Sequence, residues 1–96
     1  MKSTGKVFTL TPVIEGQSDN GNFWSKRTLV IDTTDDKPKK LAFEFFGDDR
    51  VRQLKDLNVG DLVDVNYVID SHEHNGKWFT RLSGMGLKRY EPEKLQ

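Results

Sequence analysis

Lys39-Lys40-Leu41-Ala42-Phe43-Glu44-Phe45-Phe46-Gly47 is the stretch whose reading decides the fold. Leu41, Phe43 and Phe45 alternate with Ala42, Glu44 and Phe46, and a period of two with aromatic enrichment predicts a strand with one buried face. Gly47 stops that strand, and Asp48-Asp49 supply N-cap chemistry for a helix. Over residues 49–57 the apolar side chains Val51, Leu54 and Leu57 recur every three positions, which suits one amphipathic helical face. The middle of the chain therefore reads strand, glycine, short helix. Phe46 shares the parity of Glu44, away from the Leu41/Phe43/Phe45 face. An aromatic ring on the wet face of a strand buries nothing within its own domain and wants a partner.

Working outward toward the N-terminus, Asp32-Thr33-Thr34-Asp35-Asp36-Lys37-Pro38 is a polar turn that makes the preceding segment a hairpin partner. That segment is a second strand over Phe23–Thr33, with Leu29 and Ile31 on its inner parity and Trp24, Lys26, Thr28 and Val30 on the other. Residues 16–22 are turn chemistry throughout. The first strand opens at Lys6-Val7-Phe8-Thr9-Leu10 and bends near Thr11-Pro12 before Val13-Ile14, since proline within a strand is confined to an edge or a bulge.

Toward the C-terminus, Asn58-Val59-Gly60-Asp61 turns into a fourth strand over residues 62–70, where Val63, Val65, Tyr67 and Ile69 alternate with Asp64, Asn66 and Asp70. Residues 71–77, with Asn75-Gly76 near their end, read as a hairpin loop. A fifth strand follows over residues 78–82. Its inner parity is set by Leu82, so Trp78 and Thr80 are expected inside and Phe79 and Arg81 outside. Gly84 and Gly86 allow a bend before Leu87. Residues 1–90 are read as one domain and residues 91–96 as a short polar tail.

Five strands with one short helix between the third and fourth predict an all-β, Greek-key barrel of the OB-fold type. Composition agrees. Ninety-six residues suffice for one domain, and aromatics at 10% with zero net charge argue against disorder. There is no cysteine, so disulfide and thiolate chemistry are excluded. No apolar leader follows Met1, and no stretch approaches the ~18 apolar residues of a membrane span. The expectation is a cytoplasmic protein that does not enter membranes. Charge is segregated along the chain: residues 41–73 hold three basic and eight acidic side chains, whereas Lys77, Arg81, Lys88 and Arg89 lie in an acid-free run from His74 to Tyr90.

OB-folds bind oligonucleotides and oligosaccharides across strands two and three. The outward parity there collects Trp24, Lys26, Lys40 and Phe46, and strand five adds Phe79 and Arg81. Rings interleaved with cations suit a single-stranded nucleic acid: each stacked base contributes about 1–3 kcal/mol, and the cations follow the phosphates. Three stacks supply most of a micromolar affinity, about 8 kcal/mol. Zero net charge predicts a shallow salt dependence. The plainer alternative is that aromatics favour strands in any case, that a bulge would turn Trp24 inward, and that Trp78 belongs to the core.

His72-Glu73-His74 places two imidazoles on one side of an extended segment, but without a third ligand it reads as a polar loop. No metal and no cofactor are expected. No serine sits in a nucleophile elbow and no phosphate loop is present, so the reading is not an enzyme.

Taken together, Trp24-x-x-Arg27-x-Leu29-Val30-Ile31, Phe43-x-Phe45-Phe46-Gly47, Val59-Gly60-Asp61-x-Val63-x-Val65 and Asn75-Gly76-Lys77-Trp78-Phe79-Thr80 resemble a small bacterial OB-fold family of unknown function. More distantly the chain is similar to bacterial and phage single-stranded DNA-binding proteins, which serve DNA replication and repair. The resemblance spans residues 5–87. It implies that Phe46 stacks a base, with Trp24 a looser equivalent, and that the protein forms a homo-dimer or homo-tetramer. Glu91-Pro92-Glu93-Lys94-Leu95-Gln96 does not match the Gly/Pro/Gln-rich linker and acidic tip of those proteins, which sets aside recruitment of repair enzymes through such a tail. The expected function is non-catalytic coating of single-stranded DNA with low sequence specificity. The alternatives are a protein-interaction or oligomerisation module, and a cold-shock-like RNA-binding protein.

Overall fold

The computed structural model describes residues 1–90; the tail expected over residues 91–96 lies outside them. Strands β1 (Lys2–Leu10), β2 (Ile14–Gln17), β3 (Phe23–Thr33) and β4 (Lys40–Phe46) precede helix α1 (Asp48–Arg52), and β5 (Leu62–His74) and β6 (Lys77–Arg89) follow it. The sheet order is β1-β5-β6-β4-β3-β2, and β1 also pairs with β3, which closes the barrel. The closure is completed by one parallel bridge, Glu44 to Ser83, between β4 and β6. This is an OB-fold. β1 and β2 are the two halves of its first strand, broken at Thr11-Pro12 as proline requires.

The alternation in β3 and β4 translates directly into burial. Leu29, Ile31, Phe43 and Phe45 are fully buried, with Val7, Val63, Val65 and Tyr67 completing the interior. Each such side chain contributes roughly 1.5–3 kcal/mol relative to exposure. The Phe43 and Tyr67 rings meet at 4.8 Å with a 53° tilt, a geometry the ring quadrupoles favour. Gly84 faces Phe45 so closely that a Cβ there would lie 2.4 Å from the ring. A bulge in the β5–β6 ladder between Asn66 and Tyr67 accompanies this close approach.

The helix is shorter than its periodicity suggested. After Arg52 the chain continues in tight turns, Leu54 N–H donating to Val51 O and Leu57 N–H to Leu54 O, until Asp56 adopts a positive φ of 63°. Leu54 and Leu57 are still buried, so the three-residue spacing reflected packing on the barrel rather than continued α-helix. The helix is not capped by an aspartate. Gly47 occupies the N-cap with no side-chain bond, and Asp48 instead accepts from Ser25 Oγ at 2.5 Å.

The last hairpin also departs from expectation. Residues 71–77 are not a loop, because the strands run on to His74 and resume at Lys77 around a two-residue turn. Asn75 and Gly76 have φ of 53° and 80°, the type I′ geometry that matches strand twist. Every residue from Val68 to Arg81 is exposed. Trp78 and Thr80 are thus not in the core, and Ile69 leaves it too; Trp78 is 71% exposed. These residues form a two-stranded ribbon projecting from the barrel, and the molecule measures 52 × 30 × 19 Å.

On β5, Asp64 is buried yet satisfied. Thr4 Oγ1 and Tyr90 Oη both donate to its carboxylate, the latter at 2.6 Å. These two hydrogen bonds, Thr4's first, hold its carboxyl below the ordinary value.

Candidate functional site

The outer face of β3 and β4, bounded by β6 and the start of α1, forms a groove of about 480 Å³. Trp24 and Lys26 line it from β3, Glu44 and Phe46 from β4, Arg81 and Ser83 from β6, and Arg50 from the helix. Local sequence explains the placements on β3 and β4. In the β3–β4 register Lys26 stands opposite Phe46 and Thr28 opposite Glu44, so their common parity puts all four on one face.

At one end of the groove, Trp24 and Phe46 stack with ring centroids 5.7 Å apart and planes 25° from parallel. Gly16 pairs with Trp24 across β2–β3, and a Cβ on it would fall 2.2 Å from Trp24 Cζ2. The indole therefore lies flat on bare glycine backbone and is held from the other side by Phe46. Trp24 is half-buried in this sandwich, while Phe46 keeps 48% of its surface in solvent. Lys26 Nζ sits 5.8 Å from the Trp24 ring centroid, within cation–π reach.

The centre of the groove is ionic. Glu44 Oε2 lies 4.0 Å from Lys26 Nζ and Oε1 lies 3.8 Å from Arg81 Nη1, while Arg81 Nε is 3.6 Å from Asp70 Oδ1. All three separations exceed normal hydrogen-bond length, so these ion pairs are loose and their groups can accept other partners.

Four of the six residues singled out in the sequence, Trp24, Lys26, Phe46 and Arg81, thus share one groove. Lys40 does not reach it. Lying six residues from Phe46, about 20 Å along an extended strand, it pairs with Asp32 at 3.2 Å and caps the ring of Phe8 at 4.4 Å. Phe8 is exposed because it is the extra residue of a bulge between Val7 and Thr9. Phe79 stands on the ribbon, stacked on its cross-strand neighbour His72 at 5.7 Å. It shares a strand face with Arg81 and Ser83, so it continues the groove's side of the sheet outward.

The sequence reading passed over Gly16, Glu44, Arg50 and Ser83. Glu44 was detectable from its shared parity with Phe46. Gly16 requires knowledge of the β2–β3 register, and Ser83 of the parallel closure. Among the described residues no cluster of three or more His, Cys, Asp or Glu side chains could hold a metal ion, and no helix is long and apolar enough to cross a membrane.

Fold and groove together define an OB-fold protein with a ring-and-cation face. The chain belongs to the family described as a domain of unknown function, DUF3127, whose model matches residues 2–87. No curated protein matches it. Among solved structures it is similar to the mitochondrial single-stranded DNA-binding protein Rim1 from S. cerevisiae, with TM-score 0.65 and 16% identity over 93% of this chain and 91% of that one. It is also similar to the dimeric N-terminal domain of PriB from Thermoanaerobacter tencongensis, with TM-score 0.56 and 19% identity over 95% and 94% of the chains. A small single-stranded DNA-binding protein from Streptomyces coelicolor gives TM-score 0.53 and 15% identity over 97% and 94%. At these identities the likeness is one of fold.

Proposed function

We propose that this protein is a non-catalytic binder of single-stranded DNA, with the Trp24/Phe46 pair as its stacking platform. The observation that carries this is the half-exposed Phe46 ring stacked on Trp24 beside Lys26, Arg50 and Arg81 in one open groove. A base laid on Phe46 extends an existing stack, and the cations lie within reach of its phosphates. The similar folds of two single-stranded DNA-binding proteins support the reading. Phe79 on β6 and Lys40 on β4 each lie four residues before the Glu44–Ser83 bridge, beyond the groove end away from Phe46, and provide a further ring and cation for a longer strand. Three groove cations neutralise about three phosphates, so log Kobs is expected to fall against log salt with a slope of only about −2.

Anisotropy of a labelled oligothymidylate tests this. Phe46→Ala and Trp24→Ala are each expected to weaken binding by about 1–3 kcal/mol while circular dichroism stays native. Wild-type protein that leaves the oligonucleotide free at micromolar concentration defeats the proposal, and an RNA of equal length measures the preference between the two nucleic acids. The exposed Val68, Ile69 and Trp78 of the ribbon favour a second reading, an interaction or self-association surface. Light scattering separates the two, because a Trp78→Ala change that dissolves an oligomer without altering DNA affinity supports the second.

A further inference from the structure

Glu44 is the residue that a simple phosphate-binding face does not explain. It stands at the middle of the groove with its side chain 29% exposed, where its negative charge opposes a passing phosphate. Its nearest cations are 3.8 and 4.0 Å away, and among the described residues no hydrogen bond reaches its carboxylate. Ionised, it is an acceptor with about four lone-pair sites and no donor of its own. A base stacked on Phe46, two positions along the same face of β4, covers this carboxylate and displaces its water. Such desolvation is unfavourable unless the base brings donors.

The four bases differ in what they bring. Thymine presents N3–H between two carbonyl oxygens, which repel a carboxylate. Cytosine and adenine each present one amino group beside a ring-nitrogen acceptor. Guanine alone presents two adjacent donors, N1–H and the N2 amino group, matched to the two oxygens of a carboxylate. Its O6, next to N1, then suits a cation, and Lys26 and Arg81 stand on either side of Glu44. Unpaired bases expose this edge to a protein. We infer that Glu44 makes the groove a guanine-preferring subsite, reading the Watson–Crick edge of the one base that stacks on Phe46. This deepens, and rests on, the single-stranded DNA reading; it adds a preference at one position rather than a sequence code.

The test compares a short oligothymidylate with oligonucleotides of the same length carrying isolated dG residues, or deoxyinosine at those places, by anisotropy. For the wild-type protein the dG strand is expected to bind about tenfold more tightly than the dT strand, equal to about 1.4 kcal/mol. Deoxyinosine lacks the N2 amino group, so it is expected to lose most of that gain. E44Q preserves size and shape but offers one acceptor and one donor. It is expected to bring the dG/dT ratio to about one. Equal wild-type affinity for dG and dT strands, or a preference that survives E44Q, overturns this inference and leaves the stacking proposal standing. Failure of every strand to bind overturns both.

Discussion

Val63 and Ile69 lie on the same face of the same strand, β5, yet Val63 is fully buried and Ile69 is 46% exposed. Up to Asn66, β5 is flanked by β1 as well as β6 and faces a core. Tyr67 still bonds Met1 and packs on Phe43, but from Val68 onward only β6 pairs with β5 and every residue as far as the tip is exposed. The two tryptophans repeat the contrast. Trp24 is clamped between Gly16 and Phe46, whereas Trp78, opposite Glu73 near the ribbon tip, is 71% exposed. Alternation tells which side of a strand is apolar, not whether anything packs there. A two-stranded ribbon is marginally stable alone in water, so this one draws its order from the barrel and presents its side chains outward.

The sharpest way to break this contrast is inside the barrel. Phe45→Ala removes a fully buried ring seated against Gly84 and is expected to cost about 3–5 kcal/mol in urea unfolding, a large part of a small domain's total of about 5–15 kcal/mol. A loss under about 1 kcal/mol would place the stability elsewhere.

A smaller effect should come from the barrel wall on acidification. The Thr4 and Tyr90 hydroxyls hold the Asp64 carboxyl below its ordinary value. A carboxyl depressed in the folded state gives stability that is complete above its unfolded value of about 3.9 and is lost as pH falls through the folded value. Urea midpoints followed below about pH 5 are expected to decline. Asp64→Asn, which cannot titrate, is expected to start lower at neutral pH and decline less steeply. Parallel acid limbs for the two proteins would remove Asp64 from the account.

The smallest effect belongs to the ribbon. Trp78→Ala is expected to change stability by less than about 0.5 kcal/mol with an unchanged urea slope. A loss comparable to that of Phe45→Ala would show that the ribbon is packed in solution, against the barrel or a second copy.

Much of the fold was legible from local pattern. The period of two in β3, β4 and the first half of β5 marks the buried face correctly, and Gly47 ends β4 as expected. Phe46 was read as outward from parity alone, because a strand's side chains alternate whatever surrounds them. The helix was over-read, since Leu54 and Leu57 pack on the barrel from turns rather than from a continued helix. In the fifth strand Leu82 set a parity that no core extends to meet, so Trp78 and Thr80, expected inside, are exposed along with Phe79 and Arg81.

Residue types and their alternation were enough to determine the strands, their order around one helix, and the outward placement of Trp24, Lys26, Glu44 and Phe46. Only the closed barrel decided that Arg81 and Ser83 from β6 come beside Glu44, that Gly16 supports Trp24, that Lys40 falls about 20 Å from Phe46 along β4, and that the last hairpin stands clear of the core. The division has a physical cause. Side-chain direction is set within a few residues by backbone geometry, whereas proximity depends on strand pairings separated by tens of residues, which no local pattern encodes.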